Sequence, residues 1–275
     1  MRHMKKLIPI LLVLVSCTRG YLQETPPSLV VEGWIDAGGP PVVMLTTSVT
    51  PTLEFQSLES LQDHILKWAK VTVSDGDRSV VLMGKPTDLY DIPYIYTTAW
   101  MDGEPGKTYT LTVDYENFHA TAVTTIPPKE SLKEVKAKQL PDGTYGIEAV
   151  IDPKPDSYYR LFTRIEDQDK SYVPSFLGVF SGRDLQSEAV INVNAGRTIN
   201  RRTYSPSFPC GSTVHVKFCT MDEASWRYWS EFEKVSSMGG SPIFPVRFNI
   251  SSNVTGALGY WAGYAPVWHT VTIPQ

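Results

Sequence analysis

Thr108-Tyr109-Thr110-Leu111-Thr112-Val113-Asp114-Tyr115 alternates between two kinds of residue. Tyr109, Leu111, Val113 and Tyr115 fall on one face of an extended chain, and the threonines with Asp114 fall on the other. Glu104-Pro105-Gly106 punctuates the chain before this stretch, and Glu116-Asn117 can reverse it into a second extended run, Phe118 to Ile126. Half-buried alternation of this kind belongs to antiparallel sheets with one face on a core. Outward from this hairpin the same grammar recurs. Leu29 to Ile35 reads as a strand closed by Asp36-Ala37-Gly38-Gly39-Pro40-Pro41, Val42 to Ser48 as its neighbour, and Val71 to Ser74 as another, turning at Asp75-Gly76 into a return over Val80 to Met83. Short strands with turns every eight to twelve residues predict a mostly β chain and, for this part, an immunoglobulin-like β-sandwich.

Two interruptions carry helical spacing. Leu58, Leu61, Ile65 and Trp68 predict a short helix over Ser57 to Trp68, with His64 on its polar face. Trp226, Trp229, Phe232 and Val235 predict an amphipathic aromatic helix, and Thr220-Met221-Asp222-Glu223 before it has the form of a capping box with Thr220 as cap. Pro127-Pro128 cannot donate to a ladder, so the first domain is placed at 28–128 and a second β-rich domain, also a β-sandwich and holding the aromatic helix, at 129–275. In that second part Leu132 to Lys138, Tyr145 to Ile151, Tyr158 to Ile165, Tyr172 to Phe180 and Val214 to Phe218 read as strands. The polar stretch Gly182 to Pro209 gives no register.

The amino-terminal end reads differently. Arg2, Lys5 and Lys6 precede an apolar run from Leu7 to Val15, too short to span a bilayer but of the length of a secretory signal. Leu14-Val15-Ser16-Cys17 resembles the lipobox of bacterial lipoproteins, which implies a signal peptide over 1–16, lipid on Cys17 and a tether over 17–27. The alternative is an ordinary signal peptide with Cys17 incidental. Loss of Arg2, Lys5 and Lys6 from the 25 Lys+Arg, against 29 Asp+Glu, leaves a net charge of −7. That balance argues against nucleic acid as a partner and against docking on anionic lipid by charge, so a lipid anchor would have to hold the chain at a membrane. Cys210 and Cys219 remain as a pair. A bridge between them needs a reversal at Gly211-Ser212; otherwise they are two buried thiols.

Residues with chemistry are sparse. The chain has no nucleophile elbow, no zincin helix, no phosphate-binding glycine loop and no EF-hand loop. Asp75-Gly76-Asp77 and Asp167-Gln168-Asp169 read as hairpin tips, and His119, His215 and His269 as solvent-facing strand residues. No metal, cofactor or catalytic residue is expected, although two acids brought together by the fold would leave no trace in the sequence. Trp34, Trp100 and Trp261 are the candidates for contact with a ligand or partner, since an indole can stack on a sugar ring, but the same side chain also fills cores. Tyr260, Trp261 and Tyr264 likewise either close the second core or line a shallow surface.

Gly240-Ser241-Pro242-Ile243-Phe244-Pro245-Val246 and Ser252-Asn253-Val254-Thr255-Gly256-Ala257-Leu258-Gly259-Tyr260-Trp261-Ala262-Gly263-Tyr264 resemble the closing signature of Bacteroidota lipoproteins of domain-of-unknown-function family 4249. Leu29 to Trp34, Gly106 to Leu111, Tyr158-Tyr159-Arg160-Leu161 and the helix from Trp226 match the same family in order. The resemblance implies an outer-membrane lipoprotein, periplasmic or surface-facing, accessory to a TonB-dependent receptor in nutrient uptake. It carries no catalytic residues over. Two non-enzymatic readings follow, docking on that receptor and binding of a glycan or peptide through exposed aromatics, with a hydrolase as the remote alternative.

Overall fold

The structure, a computed structural model, describes residues 27–48, 62–90, 92–196, 205–237 and 250–275. Its strands in chain order are β1 (Leu29–Asp36), β2 (Pro41–Thr47), β3 (Lys70–Ser74), β4 (Ser79–Val81), β5 (Met83–Pro86), β6 (Tyr94–Thr97), β7 (Thr108–Tyr115) and β8 (Phe118–Thr125). There follow β9 (Glu134–Gln139), β10 (Tyr145–Ile151), β11 (Tyr158–Ile165), β12 (Val173–Ser181), β13 (Ala189–Val193), β14 (Thr213–Met221), β15 (Val254–Thr255) and β16 (Leu258–Thr272). Among the described residues one α-helix, α1 (Glu223–Ser237), follows β14. The chain is mostly β, with several sheets, as the alternation predicts.

The β7–β8 hairpin forms as read, with Tyr115 opposite Phe118 and Glu116 taking φ 49° to make the tight reversal. Tyr109, Leu111 and Val113 are buried to within 1 %. This hairpin sits in a five-stranded sheet, order β15-β8-β7-β3-β4. The expected single return over Val80 to Met83 is instead two strands. β4 pairs with β3, then after Leu82 the chain crosses to the other sheet, where β5 pairs with β6.

That other sheet has eight strands in the order β12-β11-β14-β16-β1-β2-β6-β5 and draws on both sides of Pro127-Pro128. Its middle is a parallel pair: β1 lies beside β16, with Gly33 opposite Trp261 and Asp36 opposite Tyr264. Strand alternation gives the sheet two faces. One face carries Leu29, Val31, Ile35, Val43, Leu45 and Trp261 against the five-stranded sheet, making the first core. Farther along, Tyr159, Leu161, Ile165, Val214, Val216, Phe218 and Val271 meet Ile147, Ala149 and Ile151 of a three-stranded sheet, order β13-β10-β9, making a second core. Gly33 has no room for a side chain, because a Cβ there would lie 2.9 Å from the Trp261 ring.

The two cores share a device that the sequence contains twice. Tyr109 Oη accepts from the backbone N–H of Glu104 at 2.8 Å, and Tyr159 Oη accepts from that of Lys154 at 2.9 Å. Each donor residue stands five places before its tyrosine and directly before a proline, Pro105 or Pro155. Burial pushes the Tyr159 phenol up to about 12, so it remains a neutral hydrogen-bonding group. Each phenol thus ties its own strand to the turn that leads into it.

Several expectations are corrected. Of the helix over 57–68, residues 57–61 lie outside the described residues, while Ile65 forms an antiparallel bridge with Thr46 and is buried with Leu66. Burial of these two against strand β2 outweighs the helical spacing. His64 bonds Thr47 Oγ1 through Nδ1 at 2.9 Å rather than standing free in solvent. The cap of α1 is Asp222, whose Oδ1 accepts from Ser225 N–H at 2.8 Å, because Thr220 belongs to the last turn of strand β14 and donates to the Pro128 carbonyl. Cys210 and Cys219 are both free thiols, the first exposed and only the second buried. The signal and tether residues 1–26 and the stretch 238–249 lie outside the described residues. No helix among the described residues is long and apolar enough to cross a membrane.

Candidate functional site

The face of the eight-stranded sheet turned away from the smaller sheets carries charge. In β11 the residues pointing to it are Tyr158, Arg160, Phe162 and Arg164; in β14 they are His215, Lys217, Cys219 and Met221; in β16, Tyr260, Ala262 and Tyr264; in β1, Glu32, Trp34 and Asp36. α1 lies across part of this face, its Trp229 buried against Tyr260 at 4.6 Å between ring centroids and its indole N–H donating to Tyr264 Oη at 2.8 Å. Asp222 anchors the start of the helix to the five-stranded sheet, since Oδ2 accepts from Thr124 Oγ1 at 2.6 Å and from the Thr125 N–H at 3.1 Å.

Two cations are buried beneath these rings, each close to Phe162. The Arg160 guanidinium lies 3.7 Å from the Trp229 ring centroid and 5.3 Å from that of Phe162, with the nearest carboxylate, Glu233, at 4.0 Å. Its Nε and Nη1 are buried without a hydrogen-bond partner. Burial lowers the Arg160 pKa from its ordinary value, opposed by Tyr264 and Glu233, and burial raises that of Glu233, opposed by Arg160. Lys217 Nζ donates to Asp36 Oδ2 at 2.5 Å and lies 5.1 Å from the Phe162 centroid and 5.6 Å from that of Tyr264. Burial works against the Lys217 charge, but Cys219 and Asp36 outweigh it and place its pKa above the ordinary lysine value. Burial pushes the Cys219 thiol up to about 12, so at neutral pH Asp36 is the partner that matters. The second Asp36 oxygen, Oδ1, is buried and accepts no hydrogen bond.

Two loops close over this pair from opposite halves of the chain. The connection between β5 and β6 is pinched by Thr87 N–H to Pro93 O at 3.1 Å and brings Tyr90 edge-on to Trp34, ring centroids 5.4 Å apart. The connection between β11 and β12 is held by Asp169, whose carboxylate accepts from Ile165 N–H at 2.8 Å, and it brings Tyr172 to 5.8 Å from the Arg164 guanidinium. Burial raises both phenol pKa values, and in both Lys217 pulls the other way. The loops touch through Lys170 Nζ and Asp88 Oδ2 at 3.3 Å, an exposed contact.

The residues expected to make contact are not brought together. Trp34 is half-buried on the charged face, Trp100 stands 77 % exposed in the turn after β6, and Trp261 is fully buried in the first core with its indole N–H on the Tyr109 carbonyl at 3.0 Å. Cys17 lies outside the described residues. Tyr260 and Tyr264 are buried under α1, so of the two readings of that trio, the structure places all three rings inside. Asp75 is the hairpin tip expected, its carboxylate taking the N–H groups of Asp77 and Arg78. His119 faces solvent, but His215 and His269 are only half-exposed, and each keeps a buried Nε2. No group of three or more metal-ligating side chains occurs among the described residues. The sequence places Asp36 in a turn and Arg160 and Lys217 in strands, and it marks neither these three nor Glu233 as site residues. The available signal was a charged residue set inside an apolar strand, as in Val216-Lys217-Phe218 and Tyr159-Arg160-Leu161.

No curated protein matches the chain. The family model described as "Domain of unknown function (DUF4249)" matches residues 21–267, which takes in every described strand except the end of β16. The chain therefore belongs to the DUF4249 family.

Proposed function

We propose that this protein is a non-enzymatic lipoprotein, anchored at the outer membrane through Cys17 and accessory to TonB-dependent nutrient uptake, which docks on its receptor through the free edge of its first half. The observation that carries the docking surface is the pair β4 and β5. They are consecutive in the chain and form the outermost strand of the five-stranded and eight-stranded sheets respectively. Val81 and Met83 on them are exposed, and Trp68 and Trp100, 89 % and 77 % exposed, follow or precede neighbouring strands. Large apolar side chains held in water at a sheet edge favour a protein partner. Lys85 and Pro86 occupy the same edge and discourage indiscriminate strand addition, so the contact is made by side chains.

The test is a pull-down from detergent-solubilised outer membranes with the acylated chain and with a Met83→Glu, Trp100→Glu variant. Recovery of a TonB-dependent receptor by the first and not by the second is the expected result. Repeated recovery of the lipoprotein alone overturns the reading. A Cys17→Ala variant is expected to lose palmitate labelling and leave the membrane fraction. A second reading, that the protein binds a glycan or peptide, is favoured by one separate observation, the unsatisfied Asp36 oxygen among the rings of the charged face.

A further inference from the structure

The Asp36–Lys217 pair combines features that fold stability alone does not require. It is set among Trp34, Tyr90, Phe162, Tyr172 and Tyr264, rings that offer apolar faces. It keeps one buried carboxylate oxygen, Asp36 Oδ1, with no donor. The Lys217 ammonium has three N–H donors, and the hydrogen bond found for it among the described residues is the one to Asp36. A buried acceptor without a donor, beside an ammonium with donors to spare, is complementary to a group that both gives and takes hydrogen bonds. A hydroxyl does both.

Charge narrows the ligand further. Asp36 and Lys217 already neutralise one another, so an ionic ligand would have to separate a buried pair and leave one charge uncompensated. A neutral ligand leaves the pair intact. Neutral, rich in hydroxyls and flat enough to lie on an aromatic face describes a sugar ring, whose C–H face stacks on indole or phenol.

Access is provided for by the loops. Tyr90 and Tyr172 reach the pair from connections that are braced at their bases, and among the described residues the two connections meet through the Lys170–Asp88 contact, between side chains 65 % and 83 % exposed. An exposed ion pair of this kind contributes little to stability and separates at small cost.

We propose that Asp36 and Lys217 form the floor of a binding site for a neutral polyhydroxylated ring, a mono- or disaccharide, admitted between the Tyr90 and Tyr172 loops when Lys170 and Asp88 part. This rests on the ligand-binding reading and names its ligand class and its gate. Asp36 Oδ1 accepts from a ring hydroxyl, Lys217 donates to the neighbouring hydroxyl, and Trp34 or Tyr90 stacks on the ring.

Isothermal titration of the full chain with neutral mono- and disaccharides, with glucuronate and glycine as ionic probes, tests it. Saturable binding of at least one neutral sugar is expected, weakened at least about tenfold in Asp36→Asn, which keeps the side chain's shape and loses the charged acceptor. A Lys170→Ala variant, at an exposed position, is expected to bind the same sugar with a faster association rate. Absence of sugar binding by both the unaltered chain and Lys170→Ala overturns the proposal. So does sugar binding that Asp36→Asn leaves unchanged while circular dichroism confirms the fold. Binding of glucuronate or glycine in place of sugars, if lost in Asp36→Asn, overturns the neutral-ring assignment and leaves the ligand-binding reading standing. Receptor docking is read by the pull-down and is unaffected by any of these outcomes.

Discussion

On β14, Val214, Val216, Phe218 and Thr220 turn toward the smaller sheets, while Lys217, Cys219 and Met221, set between them, turn toward α1 and the two loops. β11 repeats the division, Tyr159, Leu161 and Ile165 on one side and Arg160 and Phe162 on the other. The first side is covered by two sheets and closes on apolar side chains and tyrosine hydroxyls that reach backbone N–H groups. The second side buries two cations and keeps polar atoms without partners. Fold stability explains the first side, since apolar burial is the largest favourable contribution to folding. The second side costs desolvation that a wholly apolar layer would avoid. That difference directs attention to the charged side when function is sought.

The contrast can be broken by substitution. Trp261→Ala removes the largest fully buried ring from the first core and is expected to cost about 3–5 kcal/mol, read as a fall in the midpoint of urea unfolding. A loss under about 1 kcal/mol would mean that this side is not the mainstay of the fold. Lys217→Met leaves Asp36 without its cation and is expected to cost about 3 kcal/mol, at the low end for a buried pair because the Asp36 side chain retains 22 % of its exposure. Adding Asp36→Leu should then restore most of the loss. If the double variant remains as unstable as the single one, the pair is a stabilising element and the contrast between the sides fails.

The smallest effect sharpens the comparison at a histidine on the apolar side. His269 lies on the apolar side opposite Val216, and burial lowers its pKa from the ordinary 6.5. The unfolded chain therefore takes up a proton at a higher pH than the folded chain does. Stability is at its full value above pH 6.5 and declines as pH falls from there toward the depressed folded value. His269→Gln should flatten that decline in thermal unfolding followed between pH 8 and pH 5. A slope unchanged by the substitution would place the acid sensitivity elsewhere.

The hairpin from Thr108 to Thr125 was legible because its two faces differ, one in a core and one in water, and local alternation records that difference. Along β14 both faces are buried, so the pattern that marks an inward face is lost; the strand itself could be read, but its end was placed at Phe218, short of Met221. The parallel seam between β1 and β16 joins residues more than two hundred places apart, and no local rule encodes such a partner. The charged side depends on that seam. Asp36 and Lys217 are 181 residues apart, and each alone reads as an ordinary surface charge. Thr220 and Asp222 illustrate a finer limit. Both can cap a helix, and what decides is where the preceding strand lets go of its neighbours.

Synthesis runs from the amino end, so β1 leaves the ribosome long before β16 exists to lie beside it. Until residues 258–272 emerge, β1 and β14 have a gap between them one strand wide, and the halves on either side cannot be joined into one sheet. A stop ahead of residues 258–272 would thus remove the central plank of the sheet. Termination before residue 258 should be as damaging as loss of a whole half.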